Sequence, residues 1–161
     1  MKNKEIVYKR GIVMEEKTIT RREARELLLG LLFESEFRTD ESYIEIYAAS
    51  AEERLIPDDK YIKNAYYTIF EHKDKIDERI GKSANGWRAD RLSKMSRSLL
   101  RLGAYEMMFE SAIPFNVTIN EVIELTKIYD DPKARTFING VLNSMKSELE
   151  AEGVKKEERK K

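Results

Sequence analysis

The sequence predicts an all-α fold, a compact bundle of about seven helices in two packed subsets. Three observations lead there. Apolar residues recur at helical spacing in one segment after another. The three prolines and seven glycines sit mostly at the breaks between those segments. No stretch shows the sustained alternation expected of a strand.

The first helix is expected to begin at Thr20. Thr20 and Glu23 form a T-x-x-E capping box, in which each side chain satisfies an unpaired backbone N–H of the other. Ala24, Leu27, Leu28, Leu31 and Leu32 then follow helical spacing into a core. Residues 41–55 give a second pattern, with Tyr43, Ile44, Tyr47, Ala48 and Ala51 on one face, stopped by Pro57. Asp58 or Asp59 caps a third helix with Tyr61, Ile62, Ala65, Tyr66, Ile69 and Phe70 inward, continuing past Ile76 and Ile80 to Gly81. A polar KSANG link follows, then a short helix over residues 87–96 with Trp87, Leu92 and Met95 as its apolar contacts.

Residues 99–109 make the most apolar and central helix, broken by Pro114. Thr118 and Glu121 suggest a second capping box for a helix running to Tyr129. Asp131 followed by Pro132 starts the last helix, since aspartate suits the N-cap and proline the first turn. Its core face is Phe137, Ile138, Val141, Leu142, Met145 and Leu149. The organisation read from the chain is a flexible leader over 1–17, one helical domain over 18–149 and a charged flexible tail over 150–161. Met14 is an alternative start.

At 161 residues the chain fits one domain with a buried core. It has no cysteine, so neither a disulfide framework nor a thiolate metal site is expected. No apolar run reaches the length of a membrane span or a secretory signal, which suggests a cytoplasmic protein without membrane partners. Thirty basic residues cancel thirty acidic ones, so any nucleic-acid binding must come from a local basic face. His72 is the only histidine and lies among charged neighbours. The chain carries no nucleophile elbow, P-loop or dinucleotide fingerprint. The acidic pairs Asp58/Asp59 and Asp130/Asp131 suit helix starts better than a metal. These features read as a non-enzyme without cofactor or metal.

Residues 97–142 hold an ordered set of motifs: LRLGAYE, Pro114, INEVIELTK and FINGVL. In order and spacing this stretch resembles the NusB family of bacterial transcription antitermination factors, with the likeness covering roughly residues 20–147. The resemblance implies an all-α adaptor that binds boxA-type RNA together with the ribosomal protein NusE and promotes ribosomal RNA transcription. It also implies a larger complex with other Nus factors and RNA polymerase, with a homodimer as a further possibility.

On residue pattern alone, Arg21, Arg22 and Arg25 share an arc of the first helix, offset from the leucines. Arginine there opposes the helix dipole, which suggests a role, but the pattern alone favours a solvated face paired with Glu23 and Glu26. The resemblance assigns this arc to RNA, with Glu23 interrupting the cluster where some relatives are denser in arginine. It likewise points to Lys133, Arg135 and Phe137 at the start of the last helix, with Thr136 where most relatives have a basic residue. Phe137 reads equally well as core. Arg91, Lys94 and Arg97 are expected to face solvent, and Arg101 to pair with Glu106 or Glu121. Asn120, Asn139 and Gly140 are expected to be buried architecture. Among Met107, Met108 and Phe109, one is expected at a partner surface. Two other readings stand beside this one: a protein-only or homodimeric adaptor, and a relative of the helical domain of RNA cytosine methyltransferases. The second lacks the cysteine and the cofactor-binding sheet it would need.

Overall fold

The structure is a computed structural model that describes residues 5–9, 12–16 and 18–157. Seven α-helices are described: α1 (Arg21–Ser35), α2 (Tyr43–Glu53), α3 (Lys60–Glu71), α4 (Lys73–Ser83), α5 (Lys94–Phe109), α6 (Phe115–Tyr129) and α7 (Pro132–Ala151). A single 3-10 turn, Ala89–Arg91, precedes α5. The expected helical bundle is found, with one addition. β1 (Glu5–Lys9) and β2 (Ile12–Glu16) pair antiparallel, Tyr8 opposite Val13 and Val7 opposite Met14. This corrects the expectation of a leader without strands: both segments are rich in the β-branched and aromatic residues that favour pairing. Residues 1–4, 10, 11 and 17 of that leader lie outside the described residues.

The first subset is α1, α2 and α3, and the second is α4, α6 and α7. Helix α5 lies between them and packs on α1, α3, α4, α6 and α7. Every residue from Ser98 to Met107 is buried, which a helix surrounded on all sides requires. Gly103 sits where α5 meets α7. A Cβ there would stand 2.9 Å from Leu142 Cδ2, so the glycine permits the close approach. Met107 is core, and Met108 and Phe109 are half-buried against it. Only Met108 and Phe109 keep some surface.

Helix starts follow local chemistry in most places. Thr20 and Glu23 form both halves of the expected capping box. Ser42 and Glu45 form another. Asp59 accepts from Ile62 N and Asp131 from Ala134 N. The box expected at Thr118 does not form, because α6 already begins at Phe115 behind Pro114. The expected long third helix divides at His72, and the expected helix over residues 87–96 shrinks to the 3-10 turn.

The tail expected to be free from residue 150 is docked as far as it is described. After α7, Gly153 turns the chain at φ 86°, Val154 packs on the core, and Lys156 reaches the end of α5. Its ammonium donates to the carbonyls of Glu106, Met107 and Glu110 at 2.8, 3.0 and 2.7 Å. These carbonyls lie at the C-terminal end of α5, where a cation suits the helix dipole. Residues 158–161 lie outside the described residues.

Glu36, just past α1, joins the subsets. Arg97 grips it through Nε and Nη2 at 2.7 and 2.6 Å, and Arg101 Nη1 adds 2.9 Å. Burial pushes the Glu36 carboxyl up, but the hydrogen bonds and charge of Arg97, with the charge of Arg101, outweigh it and hold the group below its ordinary 4.5. The unfolded carboxyl returns to that value. Its contribution to stability is therefore full above pH 4.5 and is lost as pH falls through the lower folded value. Urea midpoints measured on either side of this range should fall with acid, and Glu36→Gln should flatten that part of the fall.

Candidate nucleic-acid interface

The three arginines of α1 have three different environments. Arg21, at the first position of the helix, is exposed, and its guanidinium lies 4.3 Å from the centre of the Tyr61 ring. The ring face attracts the cation and holds it at the surface without neutralising it. Arg22 is 67% exposed in its side chain and forms a two-pronged pair with Glu121 of α6, at 3.0 and 2.9 Å. Glu121 is held below the ordinary carboxylate range, first by its hydrogen bond from Arg22.

Arg25 corrects the expectation that the whole arc faces water. It is 4% exposed and donates from Nε and Nη2 to Glu106, at 2.7 and 3.1 Å. Tyr61 and Thr118 donate to the same carboxylate at 2.5 and 2.8 Å. Burial, and then the Glu106 charge, push the Tyr61 phenol well up, so it remains a donor. Arg25 is therefore the centre of a buried junction between α1, α3, α5 and α6. It could meet a phosphate only by leaving that junction, which would strand a buried carboxylate.

At the start of α7, Lys133 and Arg135 are exposed. Among the described residues, neither forms an ion pair. Phe137 is half-buried, packed against the core on one side and set edge-on to Trp87 with ring centres 6.4 Å apart. The core and surface readings of Phe137 thus both describe it. Between the two basic sets, α6 presents Glu121, Glu124 with Lys127, and Tyr129, whose hydroxyl meets Glu26 of α1. The sets stand on separate helices with a mixed, partly acidic surface between them.

Several residues differ from expectation. Arg97 is mostly buried on Glu36 rather than solvated. Arg101 pairs with Glu36 and Asp77, not with Glu106 or Glu121. Asn120, Asn139 and Gly140 are exposed, not buried. Lys94 does reach the surface, over the exposed Phe37 ring at 5.4 Å.

The FINGVL motif therefore turns a bare glycine to solvent inside a helix. A Cβ on Gly140 would meet nothing within 4 Å. Glycine there weakens the helix, so Gly140→Ala should raise stability by about 0.5–1 kcal/mol in thermal or urea unfolding. The fold itself gives no reason for the glycine.

Trp87, expected as an apolar contact of the short helix, is 59% exposed. Asn85 and Gly86, at φ 53° and 85°, turn the chain after α4 and bring Trp87 to the side of Phe137. The signal available was the NGW tripeptide, where a left-handed turn delivers a large aromatic residue to the surface.

Among the described residues, no helix is long and apolar enough to cross a membrane, and no cluster of three or more acidic or histidine side chains could hold a metal.

The profile of the NusB family matches residues 22–147. The transcription antitermination protein NusB of Bacillus subtilis strain 168 is 41% identical over 133 residues, covering 81% of this chain and 97% of the relative. Among solved structures, T. maritima NusB aligns with a TM-score of 0.71 at 34% identity, covering 82% of this chain and 94% of that one. A NusB chain solved with NusE and double-stranded RNA aligns with a TM-score of 0.70 at 30% identity, covering 80% of this chain and 96% of that one. By profile, sequence and fold together, the chain belongs to the NusB family.

Proposed function

We propose that this chain is a transcription antitermination factor that binds boxA-type RNA jointly with NusE and so promotes transcription of ribosomal RNA. The observation that carries this reading is the shared fold, over 80% of this chain, with a NusB solved together with NusE and double-stranded RNA. Other Nus factors and RNA polymerase complete the assembly in this proposal, and the protein works as a binding adaptor rather than a catalyst.

The geometry suits shared recognition. The chain has no net charge, so its electrostatic pull on RNA comes from small exposed sets. Arg21 is held ready by Tyr61, and Lys133 and Arg135 stand at a helix start. Arg22 contributes by exchanging Glu121 for phosphate, a fork-shaped acceptor of similar geometry. Arg25 acts one step removed, by fixing the floor beneath Arg21 and Arg22. With so few free cations, RNA affinity of the chain alone is expected to be low, and NusE supplies the remainder of a composite surface.

The test is fluorescence anisotropy of a labelled boxA-type RNA against the chain, alone and with NusE, with a scrambled RNA as control. Tighter, sequence-dependent binding in the presence of NusE is expected. Equal binding to both RNAs, or none with NusE present, would overturn the reading. Within this assay, Arg21→Ala should weaken binding and lower the slope of log affinity against log salt by about 0.7 for one lost single-strand phosphate contact. Its unfolding curve should match the parent. An unchanged salt slope would remove Arg21 from the interface.

A further inference from the structure

We propose that the groove between Trp87 and α7 is a stacking site for one unpaired base of the bound RNA, with Trp87 as its platform. The inference rests on the RNA-binding reading above and adds a contact residue to it.

The groove has a volume of about 340 Å³. Its walls include Asn85, Trp87, Thr136, Phe137, Gly140 and Ser144. Three features make it suited to a base. First, Trp87 leaves most of its surface in water while Phe137 supports it edge-on. An uncovered aromatic ring with a neighbour at its edge is what stacking on a base requires, and such stacking accepts any base. Second, Gly140 leaves the α7 side bare. No atom of the fold occupies the place of its Cβ, so the helix backbone is open to a flat ligand. Third, the surroundings offer polar groups and positive charge. Asn85, Thr136 and Ser144 present amide and hydroxyl groups, which can meet a base edge. Lys133 is four residues before Phe137 and seven before Gly140, which puts it on the same stripe of α7, one turn beyond the groove. A cation there suits the phosphate that follows a stacked base.

Charge selects the occupant. A purely apolar protein segment would gain nothing from Lys133, whereas a nucleotide uses the ring and the cation together. The base must be unpaired, because a base inside a duplex is already stacked on its neighbours.

Trp87 is the only tryptophan in the chain, so its fluorescence reports this groove alone. The experiment titrates the chain, with a tryptophan-free NusE present, with a labelled single-stranded boxA-type RNA. Anisotropy of the label and emission of Trp87 are followed in parallel, and the same RNA annealed to its complement serves as control. Quenching that tracks single-strand binding and is absent with the duplex is expected. Trp87→Ala should weaken single-strand binding about ten-fold, and Trp87→Phe should restore most of it. Gly140→Leu, which fills the groove from an exposed helix position, should weaken binding similarly while leaving the fold at least as stable as the parent. Binding without quenching, with Trp87→Ala and Gly140→Leu at parent affinity, would overturn this inference and leave the antitermination reading intact. Quenching by NusE without RNA would make the groove a protein contact and also overturn it. Absence of any RNA binding would overturn both.

Discussion

Glu106→Ala is expected to lower the stability of the fold by about 3–5 kcal/mol, the range for removing one partner from a buried, hydrogen-bonded charge pair. The Glu106 side chain is fully buried and accepts four hydrogen bonds, two from Arg25 and one each from Tyr61 and Thr118. Alanine would leave a cation in the interior with Glu121 as its nearest carboxylate, 3.9 Å from Nη1. It would also leave a phenol and a hydroxyl without their acceptor. Urea unfolding with an unchanged m-value would measure the loss directly. A loss under about 1 kcal/mol would mean that the junction is not the keystone described. Pairing Glu106→Leu with Arg25→Met should recover much of the loss, because then no charge is buried unpaired. RNA binding by this double variant would show whether Arg25 matters for RNA other than by holding α1 in place.

Arg101→Met should have the second largest effect, a loss of about 3 kcal/mol. Arg101 is 8% exposed and ties Asp77 of α4 to Glu36 beyond α1, through bonds of 2.8, 2.9 and 2.8 Å. Methionine keeps much of the volume but strands the Asp77 carboxylate. Glu36 retains Arg97, which is why the loss should be smaller than at Glu106. Adding Asp77→Asn should be partly compensating, and a double-mutant cycle would give the coupling. Independent, additive losses would show that Arg101 and Asp77 do not act as a pair.

Both sites illustrate which parts of the sequence are self-explanatory. Thr20 with Glu23, Asp59 and Asp131 cap helices through neighbours three residues away, so their roles follow from spacing alone. Glu106, Arg25, Arg101 and Arg97 take their ion-pair partners from 24 to 81 residues away. Helical periodicity places such a residue on a face but does not name what lies opposite. Arg25 illustrates this: it lies beside the leucine stripe at the edge of the core, and only the arrival of α5 with Glu106 draws it inside. Thr118 had the right spacing for a cap and was taken instead by the same carboxylate. The exposed positions of Arg21, Lys133 and Arg135 were legible because a cation at the surface needs no buried carboxylate. Trp87 was not, because an aromatic residue after a turn reads as a packing contact until the chain path around Asn85 and Gly86 is known.

The docking of Lys156 onto the end of α5 has a consequence for synthesis. Translation proceeds from the N-terminus, so the Glu106 carbonyl leaves the ribosome fifty residues ahead of the ammonium that meets it. Until then, the C-terminal end of α5 is without its cation, and the turn into α6 lacks one of its fastenings. The nascent domain can collapse around α5 beforehand, but its final closure waits for one of the last described side chains to emerge.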